Sequence, residues 1–233
     1  MESISREQLF KTIIDKSSLK QDIYDNTLST LRVFKQVIEE FTRDFHILSE
    51  PLNTKHHITF ENRYRGDFEI EMKFGGDILI FLMHTNIFEF SRDHEVMRTP
   101  YIREDKNRSY CGIINIYNFL GDSFKYNRIN DVGYLIGRIF INKDFHYFIE
   151  GKRELGFLFN DFGKNLITNE SANKIIEAAI LYTINFDLLT PPYETVKIVS
   201  INEMTSTLDS ISTSTGKRLG FRFQQDRSVN TDD

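Results

Sequence analysis

The sequence predicts an α+β fold: a largely antiparallel sheet of about six to eight strands, covered by N-terminal helices and one later helix. Three observations carry that reading. Apolar and polar residues alternate through 57–74, a continuous apolar run follows at 78–83, and a long helical seam precedes both.

Ser5 followed by Gln8 has the form of a capping box, and Leu9, Phe10, Ile13 and Ile14 then recur at helical spacing, which predicts a short first helix. A second helix is expected to begin near Ser18. Its seam is Tyr24, Thr27, Leu31, Phe34, Ile38, Phe41 and Phe45, and no Gly or Pro interrupts 22–45. That stretch would extend about 36 Å, whereas a strand of about seven residues covers about 23 Å. The helix either crosses the sheet obliquely or offers its free length to a second copy, which makes Phe34, Ile38 and Phe41 candidate contact residues.

Ile58, Phe60 and Tyr64 oppose Thr59, Glu61 and Arg63, and Phe68, Ile70, Met72 and Phe74 oppose Glu69, Glu71 and Lys73. These are half-buried strands. Residues 78–83 are apolar on both faces and predict two-sided burial. Turns at 65–67, 75–76 and 85–86 would fold these pieces into a meander closed by a strand at 87–90. The polar segment 90–109 suits a long exposed connection. Residues 109–118 form a further strand, and 132–141 and 145–149 a hairpin across Asn142-Lys143-Asp144. Leu155, Phe157 and Phe159 begin another alternating strand. Thr168 or Asn169 can cap a helix with the stripe Ile176, Ala179, Ile180, Thr183 and Ile184, which Pro191-Pro192 ends. A last strand is expected at 195–200.

One domain is expected over 1–203. Residues 204–233 are Ser/Thr-rich and poor in core residues, so the tail should be mobile, with a docking strand at 218–223 that buries Leu219, Phe221 and Phe223. Its GKRLGFRF echoes GKRELGFLF at 151–159, too short a match to establish a repeat.

The 34 acidic and 29 basic side chains give a net charge of −5, so no general basic field holds a nucleic-acid backbone and nucleic acid is disfavoured as a partner. Twenty-one Phe with only 12 Gly and 4 Pro describe an ordered aromatic core. The single cysteine, Cys111, excludes an intrachain disulfide. No charged leader precedes an apolar stretch at the N-terminus, and no run reaches the roughly 18 apolar residues of a membrane span. A cytoplasmic location without membrane contact is the expectation.

Glu150 and Lys152, with Asp131 or Asp144, have the residue types of a metal-dependent nuclease, in which carboxylates hold a divalent cation and lysine stabilises developing charge. The pattern E-G-K equally makes an ordinary polar turn. His84, Asp93, His94 and Glu95 could gather around a metal if the strand at 87–90 folds directly back, although no helical H-x-x-x-H pair exists. Phosphate-cradling glycine loops and a nucleophile elbow are missing, and the sequence specifies no cofactor. The favoured reading is a non-catalytic binding or regulatory module acting through self-association, as a homodimer, or through a protein partner. A small-ligand sensor with a pocket wall at Leu79, Phe81 and Met83 is the first alternative, and a metal-dependent nuclease or hydrolase the second.

Overall fold

The computed structural model describes residues 4–204 apart from Asn53, Thr54, Leu158, Leu189, Pro191 and Glu203. The fold is α+β. Helix α1 (Arg6–Ser49) leads into a sheet of β1 (Phe60–Arg65), β2 (Glu69–Phe74), β3 (Asp77–Glu89), β4 (Tyr110–Leu120), β5 (Tyr134–Ile141) and β6 (Tyr147–Gly151). The short helices α2 (Pro100–Glu104) and α3 (Gly121–Lys125) sit in the connections, and α4 (Glu154–Phe157), α5 (Asn169–Ile184) and α6 (Tyr193–Val196) follow the sheet. All six strands lie in chain order, each antiparallel to the next.

Four expectations are corrected. The two N-terminal helices are one helix of 44 residues, roughly 66 Å long, that runs through Ser17 and Ser18 without a break. Extending an existing helix costs less than nucleating another, and no Gly or Pro occurs in 6–50 to stop it. The expected turn at 85–86 is instead an irregularity inside β3, where pairing with β4 lapses between His84 and Phe88 and then resumes. Strand β4 is long enough to supply partners to Phe88 and Glu89, so the chain gains more by pairing onward than by turning. Leu155 and Phe157 belong to α4 rather than a strand, with Leu155 fully buried and Phe157 exposed. Finally, 193–196 is helical, and Ile198 and Val199 are exposed rather than in a strand. The tail residues Leu219, Phe221 and Phe223 lie outside the described residues.

One face of the sheet carries the main core. Leu79, Phe81 and Met83 of β3, Ile114 and Ile116 of β4, and Ile139 and Ile141 of β5 pack under α1 and α5. Helix α1 contributes Leu31, Phe34 and Ile38, with the Phe34 and Phe81 rings 5.4 Å apart, while α5 adds Ile175, Ile176 and Ala179. Thr168 caps α5 in a capping box with Ser171. Helix α1 crosses β4 at Gly112, where a Cβ would stand 1.9 Å from Thr27 Oγ1 and 2.8 Å from Thr27 Cβ. Thr27 donates its hydroxyl back to Ile23 O at 2.7 Å, which satisfies the buried polar atom inside the helix.

The opposite face is only partly covered. Ile78 is buried, but Ile80 and Leu82 are half-buried, so burial of 78–83 is complete on one side and partial on the other. Glu71, on the polar side of its alternation, is nevertheless buried and lies 3.4 Å from the Arg65 guanidinium. The edge of β6 is covered by 159–165: the Ile149 N–H donates to Phe159 O and the Tyr147 N–H to Asn165 O, both at 2.9 Å.

Phe34→Ala and Ile38→Ala should each cost about 2–5 kcal/mol in chemical denaturation, the usual range for large-to-small changes at fully buried sites. Gly112→Ala should destabilise by at least as much, and Thr27→Ala should recover only part of the loss, because it removes Oγ1 and leaves Cβ in place.

Candidate functional site

The first candidate surface is the N-terminal length of α1. From Ile4 to Asp22 every residue except Leu19 is exposed, so this part of the helix projects beyond the core contacts that begin at Ile23. It stays helical because the packed segment behind it has already nucleated the helix, and because the Ser5 and Gln8 capping box closes its end with bonds of 3.1 and 3.2 Å. Lys16 steadies the projection by donating to Tyr110 Oη at 2.7 Å at the start of β4. Leu9, Phe10, Ile13 and Ile14 are 47–63% exposed and form one apolar stripe. At about 100° per residue that stripe is rotated about 90° around the axis from the seam buried on the sheet. Phe34 and Ile38, expected as contact residues, are buried within the chain's own core, and Phe41 packs partly against it. The longest exposed apolar stripe of α1 therefore lies at its N-terminal end, with Ile47 and Leu48 a smaller exposed pair in its last turn.

The second candidate is on the partly covered face of the sheet. The connection 90–109 folds into α2 flanked by two 3-10 turns, with His94, Thr99 and Asp105 each accepting a backbone N–H as caps. Val96 and Ile102 from this segment pack with Cys111, Ile113, Phe140, Phe148 and Phe162 into a small second core. Phe140 and Phe148 stack at 4.9 Å, and Phe90 bridges from them to the His94 ring at 4.7 Å. His94 Nδ1 accepts the Val96 N–H at 3.2 Å, which leaves the ring proton on Nε2, and Nε2 meets Glu150 Oε1 at 3.1 Å. The other Glu150 oxygen lies 3.7 Å from Arg138, whose Nε donates to Asn115 Oδ1 at 3.3 Å.

His94 and Glu150, which the sequence assigns to two different candidate chemistries, are thus brought together, and Arg138 and Asn115 join them without any local motif to mark them. The remaining candidates are dispersed. Asp144 lies at the opposite end of β6 from Glu150 and binds Arg108 Nε at 3.0 Å and the Tyr101 hydroxyl at 3.3 Å. Asp131 accepts from Ser123 at 2.7 Å beside α3. Lys152 is exposed on the turn before α4, with its backbone N–H donating to Ile136 O. His84 accepts the Asn86 N–H within the irregular part of β3, and Asp93 and Glu95 are exposed. Among the described residues no three His, Cys, Asp or Glu side chains gather as a metal site. A histidine–carboxylate pair can relay a proton, but the nearby Cys111 is buried and burial pushes its thiol pKa up, away from reactivity. The cluster's evident physical work is to tie 90–109 to β6.

The tie is repeated at the other end of β6. Lys143 binds Asp105 at 2.7 Å, Asn142 donates to the Tyr101 hydroxyl at 2.9 Å, and Asn26 of α1 donates to Asn142 O and Lys143 O at 3.2 and 2.8 Å. Burial, chiefly, raises the Tyr101 pKa to about 12, so the phenol stays a donor at neutral pH.

Leu79, Phe81 and Met83, expected as a pocket wall, are buried in the main core, with Phe34 of α1 against Phe81. No helix among the described residues is long and apolar enough to cross a membrane. No family model, curated protein or solved structure matches the chain.

Asp105 is held below its ordinary carboxyl pKa of 3.8, first by the hydrogen bond from Lys143. Its folded pKa being depressed, the stabilisation is fully present above 3.8 and is lost as pH falls through the lower folded value. The pair is partly exposed, so Asp105→Asn should cost less than about 1 kcal/mol globally. Hydrogen exchange should nevertheless speed up at 100–109 in that variant at neutral pH, and the wild type should acquire the same pattern only on acidification.

Proposed function

We propose that this protein is a non-catalytic binding module that works through self-association, using the projecting N-terminal length of α1. The observation that carries the proposal is the stripe of Leu9, Phe10, Ile13 and Ile14, with exposures of 47%, 58%, 52% and 63%, on a helix whose core-facing seam is already filled. Two turns of apolar surface held rigidly in water favour a partner that removes them from it.

A second copy is the partner this stripe fits. A two-fold axis between residues 11 and 12 sets Leu9 of one chain against Ile14 of the other, and Phe10 against Ile13, so one patch supplies both halves of an antiparallel contact. The seam of α1 that faces the sheet is filled, and of the exposed apolar residues on the helix the four at 9–14 form the longer stripe, Ile47 and Leu48 being an adjacent pair in its last turn. The His94 and Glu150 cluster adds no competing chemical reading, since its residues are engaged with one another and with the second core.

Sedimentation equilibrium across a concentration series should show a reversible dimer. Phe10→Glu and Ile13→Glu should each weaken it by about tenfold or more, with the melting temperature of the dilute protein unchanged because neither residue touches the core. A monomer at every concentration, or a dimer indifferent to both substitutions, would overturn the proposal.

A further inference from the structure

Away from α1, an open groove of about 700 Å³ lies between the turn carrying α4 and one flank of α5. Phe159, Ala178, Leu181 and Tyr182 give it an apolar wall, and Arg153 supplies a guanidinium. The volume falls in the range of about 300–1,000 Å³ typical of small-ligand sites.

The turn presenting Arg153 is unusually constrained. Arg153 has φ +47°, a left-handed conformation that a non-glycine residue adopts only when its surroundings enforce it. The enforcement is visible. A Cβ on Gly156 would stand 2.5 Å from Gly151 O, and one on Gly151 would stand 2.7 Å from the fully buried Leu155. These two glycines allow the chain to double back, and the Arg153 carbonyl accepts the N–H groups of Gly156 and Phe157 at 3.0 and 3.2 Å. The turn thereby fixes the direction in which the Arg153 Cα–Cβ bond leaves the backbone.

The charges in the groove separate into engaged and unengaged groups. Lys174 donates to Glu170 at 2.7 Å, and Glu177 accepts from Asn173 at 3.1 Å. Glu154 follows Arg153 in the chain but forms no ion pair with it within 4 Å. Among the described residues Arg153 has neither an ion pair nor a hydrogen bond to its guanidinium. Its charge is felt by Tyr182, whose pKa burial raises and Arg153 lowers, which places the two groups within electrostatic reach inside the groove.

We infer that this groove binds an amphipathic monocarboxylate, its carboxylate held by the Arg153 guanidinium and its apolar body laid along Phe159, Ala178, Leu181 and Tyr182. The guanidinium fork matches a carboxylate through two parallel N–H donors. One unengaged cation suits one negative charge, while Glu154 and Glu177 disfavour a phosphate monoester dianion. The half-exposed wall at Leu181, 56% exposed, offers apolar area that a wholly polar anion would leave wet.

The test is isothermal titration of the full chain with 4-phenylbutyrate and with octanoate, using 4-phenylbutanol as the uncharged comparison. The acids should bind at one site per chain and the alcohol at least about tenfold more weakly. Arg153→Gly removes the guanidinium and suits the left-handed backbone, so acid binding should fall by about tenfold or more while the melting temperature holds or rises. Leu181→Glu, at an exposed position, should abolish acid binding without unfolding the chain. Ile13→Glu, remote from the groove, should leave binding unchanged whatever it does to association. Saturation by neither acid below about 1 mM would overturn the inference. So would an alcohol that binds as well as its acid, or Arg153→Gly that binds like the wild type.

Discussion

The contact between Gly112 and Thr27 sets the spacing on which the rest of the main core depends. At that point the backbone of β4 comes against the side of α1 with no room for even a methyl group. Close approach there lets Phe34 reach Phe81 and lets Leu31 and Ile38 fill the space over the central strands. Thr27 tolerates the contact because its hydroxyl is satisfied by Ile23 O, leaving no unpaired donor facing the sheet. A longer side chain at either position would lift the helix and open gaps along its whole length, since packed interiors respond to small displacements as units.

Much of this architecture was legible because it is written in periodicity. The two alternating strands, the apolar run after them, the hairpin at 142–144 and the helix capped by Thr168 all follow rules that act over a few residues. The failures occurred where a distant partner decided. Whether 85–86 turns or continues depends on the length of β4, which begins more than twenty residues later in the chain. Leu155 and Phe157 alternate like strand residues, yet Gly151 and Gly156 need to touch, and that close approach has no period to detect. Glu71 reads as a solvent-facing residue until its neighbours on β3 and the reach of Arg65 are known.

The candidate site was less legible than the fold for the same reason. His94 and Glu150 stand 56 positions apart in sequence, and only the docking of 90–109 on the second core brings them to 3.1 Å. Arg138 carried no signal, because an arginine in a strand alternation looks like any outward residue. The stripe at 9–14 was visible as a helical pattern, but its exposure was not, since an apolar stripe is ordinarily a buried one. What distinguishes it is the phase difference from the seam at 23–38, a quantity available in the sequence once the two segments are known to be a single helix.

That phase difference turns α1 into a fixed angular coupling between the sheet and anything held at its far end. A hinge between two helices would have let the projection swivel, whereas continuous i to i−4 hydrogen bonding transmits direction along with distance. Adding one residue between 15 and 22 would preserve every core contact and the stripe itself, yet turn the stripe by about 100° and advance it by about 1.5 Å. Apart from Lys16, which reaches Tyr110, composition in that interval leaves the geometry unchanged while its length sets the angle at which the stripe stands from the sheet, as in a spacer measured in turns rather than a tether measured in reach.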